Sequence, residues 1–90
     1  MSTDLAPPPA DLLADFDKLQ ATVNDDTTGE KTRRLARYFA QAETISQQMQ
    51  LRATDFEEKN FAGLVSDAFA AARRIVLVAW QKTHGRELAA

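Results

Sequence analysis

The side chains able to do chemistry in this 90-residue chain are few, and their spacing points away from a catalytic centre. His84 is the single histidine and there is no cysteine, so no His/Cys ligand set for a metal can be assembled. His84 is followed by Gly85, the pattern of a helix end, where the dipole favours a cationic side chain. Carboxylates pair at Asp11/Asp15, Asp25/Asp26 and Glu57/Glu58. General acid–base work would need such a pair to converge in a cleft with shifted pKa values. All three instead fall at expected helix starts or in a loop, where acids belong for electrostatic reasons. The three glycines, Gly29, Gly63 and Gly85, are isolated, so there is no phosphate-cradling loop. The chain therefore reads as non-enzymatic, with no cofactor and no metal.

The most distinctive charged feature is "KTRRLAR". Lys31, Arg33, Arg34 and Arg37 occupy the first turns of an expected helix, where the dipole disfavours cations. One source of compensation is internal: Asp11, Asp15 and Asp17 of an acidic first helix, packed alongside. The other is external, an acidic partner or nucleic-acid phosphates contacted by these four side chains. The formal charge of −2 hides this asymmetry. Residues 1–30 carry −6, residues 31–52 carry +4, and residues 53–90 are neutral. A chain devoted to nucleic acid is usually basic overall, and no aromatic–glycine pattern of an RNA module accompanies the cluster. A helix-turn-helix drawn through this region would offer an apolar recognition helix, which is wrong for a major groove.

The elements that must position these groups are helical. Leu12, Leu13, Phe16, Leu19 and Val23 recur at spacings of three and four, predicting a helix over 10–23 ended by "NDDTTG". Thr27 and Glu30 have capping-box spacing before a second helix over 29–52. Its narrow seam is Leu35, Tyr38, Phe39, Ala42, Ile45 and Met49. Thr54 and Glu57 repeat that spacing, with Asp55 as an alternative cap, before a third helix over 56–83. No glycine or proline forces the break at 53–55, so one long helix over 29–83 is the competing arrangement. Residues 1–9 read as a Pro-rich disordered lead-in and 86–90 as a flexible tail, leaving one domain over 10–85. The start has neither the basic nor the apolar segment of a secretory signal, and the longest apolar run, Ile75 to Trp80, is too short for a membrane span. The expected location is the cytoplasm. The fold class is all-α: a small antiparallel three-helix bundle, or a helical hairpin with a short additional N-terminal helix.

"RRIVLVAW" could be taken for a buried strand because β-branched residues cluster there. It instead extends a helical pattern that begins at Phe61 and meets no turn signal before Thr83. Phe61, Leu64, Val65, Ala68, Phe69, Ala71, Ala72, Ile75 and Val76 trace one broad apolar face. Ser66, Asp67, Ala70, Arg73 and Arg74 lie opposite, on a face continued by Leu77. A face this wide suits a central helix, yet the other two helices offer only narrow stripes to cover it. The expected function is therefore a protein–protein interaction module, completed by another protein or by a second copy as a homodimer. Its expected contacts are Phe61, Leu64, Phe69, Leu77 and Trp80, with Arg73 and Arg74 at the rim. Small adaptors, bacterial secretion chaperones among them, share this size and outline, but no motif singles out a family. A nucleic-acid-associated regulator using Lys31, Arg33, Arg34 and Arg37 is the alternative.

Overall fold

The computed structural model describes residues 10–88, so the expected lead-in at 1–9 lies outside the described residues. Four helices follow in order: α1 (Ala10–Asp17), α2 (Leu19–Asp25), α3 (Glu30–Arg52) and α4 (Phe56–His84). There is no strand among the described residues, and "RRIVLVAW" lies within α4. The all-α fold expected from periodicity is the fold observed. α3 and α4 form an antiparallel hairpin. At about 1.5 Å per residue a helix of 29 residues spans roughly 43 Å. The longest dimension of the molecule is 44 Å, so α4 runs its whole length. α1 packs on α3, and α2 packs on both α3 and α4, so the short helices thicken one end of the hairpin only.

Three boundaries differ from the sequence expectation or decide between its alternatives. The helix expected over 10–23 is broken at Lys18, whose backbone leaves the helical region at φ −112° and ψ 47°. The Thr22 hydroxyl reaches back across the break and donates to the Asp15 carbonyl at 2.8 Å. The bend aims α1 at α3, so that Phe16 meets Phe39 edge-on at 5.2 Å and Leu12 enters the core. The single long helix over 29–83 is not formed, because Ala53 and Asp55 are extended, at ψ 135° and 140°. Asp55 takes the cap position of α4 without a side-chain capping bond.

The Thr27/Glu30 capping box is also replaced. Gly29 is the residue before α3, in the left-handed conformation at φ 81°, and Asp26 supplies the cap from further back. Its Oδ2 accepts from the Thr32 N–H at 2.9 Å, satisfying a donor that the first turn would otherwise leave unpaired. Glycine is required at position 29 because φ is positive, and the end of the Leu88 side chain fills the space where a Cβ would lie.

The core is built from Leu12, Leu35, Ala36, Phe39 and Val76, with Leu19, Tyr38, Phe69, Ala72 and Leu77 packed around it. At the thick end, Trp80 is 1 % exposed and donates from Nε1 to the Asp26 carbonyl at 2.6 Å. His84 Nε2 lies 2.7 Å from the Val23 carbonyl, and since a carbonyl only accepts, that nitrogen carries the proton. Arg86 donates to the Thr27 carbonyl at 2.8 Å and lies over the Trp80 ring. Arg86 and Leu88, which the sequence places in a flexible tail, are thus engaged with the α2–α3 turn. Three carbonyls at the end of α2 and in the turn after it, those of Val23, Asp26 and Thr27, are thus held by side chains at or just beyond the end of α4.

Asp26 is buried, and burial alone would raise its pKa. Hydrogen bonding from the Thr32, Lys31 and Gly29 backbones outweighs that and holds the carboxyl below its ordinary value of 3.8. A group depressed in the folded state contributes stability above its unfolded pKa, and that contribution is lost as pH falls through the folded value. Asp26→Ala should therefore cost about 2 kcal/mol in urea unfolding at pH 7. The gap between variant and wild type should narrow below pH 4, roughly the unfolded pKa.

Candidate protein-interaction surface

Which face of α4 is left uncovered follows from how it meets α3. Its buried positions are Ala62, Ser66, Val76 and Trp80, and Phe69 and Arg73 lie on the same side, partly covered. This seam has spacings of three and four and takes in both Ser66 and Arg73, which the sequence reading placed on the polar face. The correction has a physical basis. Away from the thick end, α3 offers Ala42 and Ser46, and against these α4 sets Ala62 and Ser66. Small side chains on both helices allow a close approach that Phe61 or Leu64 would prevent. The polar atoms are accommodated: Ser46 Oγ donates to the Ala42 carbonyl at 2.8 Å, and Arg73 pairs with Glu43 at 3.3 Å.

Turning this seam inward turns a second seam outward. Phe61, Leu64, Ile75 and Val78 are exposed, the first three by 68 %, 60 % and 57 %. Ala68 and Ala71 fall between them on the same helical face. Val65, Ala72 and Ala79 are half-buried and join the two seams, so apolar side chains wrap much of the helix. Ala71, Ile75, Val78 and Ala79, with Arg74 at the edge, line a shallow concavity on this face. A second cleft lies near the tip of the hairpin, between Met49, Arg52, Ala53, Glu58, Phe61 and Ala62. Leu51 and Phe56 extend the exposed apolar surface around that tip.

The residues expected as partner contacts divide between these faces. Phe61, Leu64 and Arg74 are at the surface. Phe69 stacks on Phe39 at 6.2 Å, Arg73 is turned to Glu43, and Leu77 packs on the core. Trp80 is not an exposed anchor; its N–H is satisfied inside the bundle, and its ring lies 4.5 Å from that of His84. Ile75 and Val78 were missed as surface residues. Their signal was present as a second set of three-and-four spacings, displaced alternately by one and two residues from the inward set.

The basic cluster is dispersed. Arg34 forms a two-pronged pair with Asp11, at 2.5 Å and 3.3 Å, which lowers the carboxyl's pKa and raises that of the guanidinium. Asp11 is one of the internal acids that the charge pattern nominated. Arg33 donates to the Thr28 carbonyl at 3.1 Å. Lys31 and Arg37 are exposed. Among the described residues no three His, Asp or Glu side chains gather as a metal site, and no helix is long and apolar enough to cross a membrane.

A two-helix hairpin stiffened at one end, with an uncovered apolar face along its longer helix, defines the class: an all-α protein whose prominent features are surfaces. Residues 2–82 match the family described as type III secretion system regulatory protein HrpD6. The chain belongs to that family. Searches of curated proteins and of solved structures gave no match.

The close approach of α3 and α4 can be tested at Gly63. A Cβ there would lie 2.8 Å from Gln50 Nε2, the far end of a flexible side chain that can swing away. Alanine is favoured over glycine within a helix by about 0.8–1 kcal/mol. Gly63→Ala should thus stabilise the fold by roughly 0.5 kcal/mol, read as a higher midpoint in urea. A marked loss would mean that the helices leave no room for Gln50 to move.

Proposed function

We propose that this chain acts in the regulation of type III secretion as a non-enzymatic, cytoplasmic adaptor that works by binding protein through the outer face of α4. The observation that carries the reading is the second apolar seam. Phe61, Leu64, Ile75 and Val78 are large, exposed and in line on one helix, in a chain whose family is described as regulatory. Contiguous exposed apolar surface of this kind is costly in water unless a partner covers it. A helix with anchors at such spacing presents them to a partner helix or an apolar groove. Asp67 and Arg74 border the seam and would set orientation more than affinity.

The reading that the chain contacts nucleic-acid phosphates has less behind it. Of the four basic residues it needs, Arg34 is occupied by Asp11 and Arg33 is directed at Thr28.

The test is complementation of cells lacking the chain, with output of the secretion system as the readout. Phe61→Glu combined with Ile75→Glu should lower that output roughly tenfold or more, as loss of a central contact does. Helix content by circular dichroism should be kept, because both positions are exposed. Lys31→Ala with Arg37→Ala should leave the output within about twofold, as surface changes away from a contact do. Full complementation by the first pair, or loss confined to the second, would sink the proposal.

A further inference from the structure

We infer that the occupant of the outer α4 face is a second copy of this chain, its α4 running antiparallel to the first; the inference rests on reading that face as a contact surface. The argument lies in a symmetry of the seam. Phe61, Leu64, Ala68, Ala71, Ile75 and Val78 keep the alternating three-and-four spacing of a helix-pairing stripe. Read from either end, the order of sizes is the same: two large residues, two alanines, two large residues. A two-fold axis passing between Phe69 and Ala70 sets Phe61 against Val78 of the second copy, Leu64 against Ile75, and Ala68 against Ala71. Every large side chain then meets a large one, and the alanines meet where the two backbones cross most closely.

The charges obey the same axis. Glu57 precedes the seam by one step and Lys82 follows it by one step, and the axis brings each onto the other. On the flank of the seam, Asp67 falls beside Arg74. All four are exposed. A two-fold interface requires one surface to be complementary to itself, so each of these pairs occurs twice. Parallel pairing destroys the match: Glu57 would face Glu57, Lys82 would face Lys82, and Asp67 would lose Arg74. Like charges placed opposite each other disfavour that arrangement. Contact with an unrelated protein would need no palindrome in either size or charge.

The decisive experiment is a charge swap read by analytical ultracentrifugation over a micromolar concentration series. The wild-type chain should move toward twice the chain mass as concentration rises. Asp67→Arg alone, and Arg74→Asp alone, should each weaken association roughly tenfold, because each sets like charges together at two symmetry-related places. Mixed in equal amounts, the two variants should recover association, since the reversed charges then face each other again. Circular dichroism of each variant shows that it is folded.

Phe61→Cys and Val78→Cys test the direction of pairing in a chain that has no cysteine of its own. Oxidised together they should cross-link to each other and neither to itself, since like positions in an antiparallel pair lie about 25 Å apart. A wild-type chain that stays monomeric throughout overturns the inference. So does a mixture that fails to recover association, or a cross-link of Phe61→Cys to itself. If the chain is monomeric but Phe61→Glu with Ile75→Glu still abolishes regulation, self-pairing alone is wrong and another protein occupies the face. If the chain pairs but those substitutions leave regulation intact, self-pairing stands and the proposed function fails.

Discussion

The bond from the Trp80 indole to the Asp26 carbonyl is the constraint on which the rest of the structure depends. An indole N–H in an apolar interior must find an acceptor, and this one finds it 54 residues away in the chain. Asp26 answers from both ends: its carbonyl accepts from α4 while its carboxylate caps α3. One residue thereby ties the start of α3 to the end of α4 and fixes the hairpin's register at that end. His84 and Arg86 repeat the arrangement on the carbonyls of Val23 in α2 and Thr27 in the turn, so the α2–α3 junction is held by the segment at the end of α4.

From that anchor, the rotation of α4 follows. Once Trp80 faces inward, Val76, Phe69, Ser66 and Ala62 must follow it along the helix at spacings of three and four. Toward the tip the inner line ends small: Trp80, Val76, Arg73 and Phe69 give way to Ser66 and Ala62. The hydrophobic effect thus holds the thick end most strongly, while the tip depends on close backbone approach. Large apolar residues accumulate on the opposite side of α4 because the inner line near the tip has no room for them.

This geometry explains how much the sequence could reveal. The helical class and the break at 53–55 were marked by periodicity and by the spacing of Thr54, Asp55 and Glu57, all local signals, whereas the break at Lys18, which makes four helices of the expected three, carries no proline or glycine to mark it. The pairing of Arg34 with an acid of the first helix was foreshadowed by the opposed charges of adjoining segments. The rotation of α4 was not legible in the same way. Val65, Ala72 and Ala79 bridge the two seams, so hydrophobicity covers too much of the circumference to point inward. What orients the helix is a hydrogen bond between residues distant in sequence and the smallness of Ala42, Ser46, Ala62 and Ser66, a property that hydrophobic periodicity does not register. The role of Asp26 was hidden for the same reason. In sequence it is one of two adjacent acids, and only its bonds to Trp80 and to the Thr32 N–H distinguish it from Asp25.

The placement of the indole has a practical corollary. The chain contains one tryptophan, and it sits on the inner side of α4, against a turn carbonyl and a histidine ring. Its emission therefore reports whether the end of α4 is docked on the α2–α3 turn, and the outer seam lies on the other side of the helix. Folding and surface occupancy consequently belong to separate optical channels. A native reporter follows the first, and a label at the exposed face follows the second with little cross-talk between them.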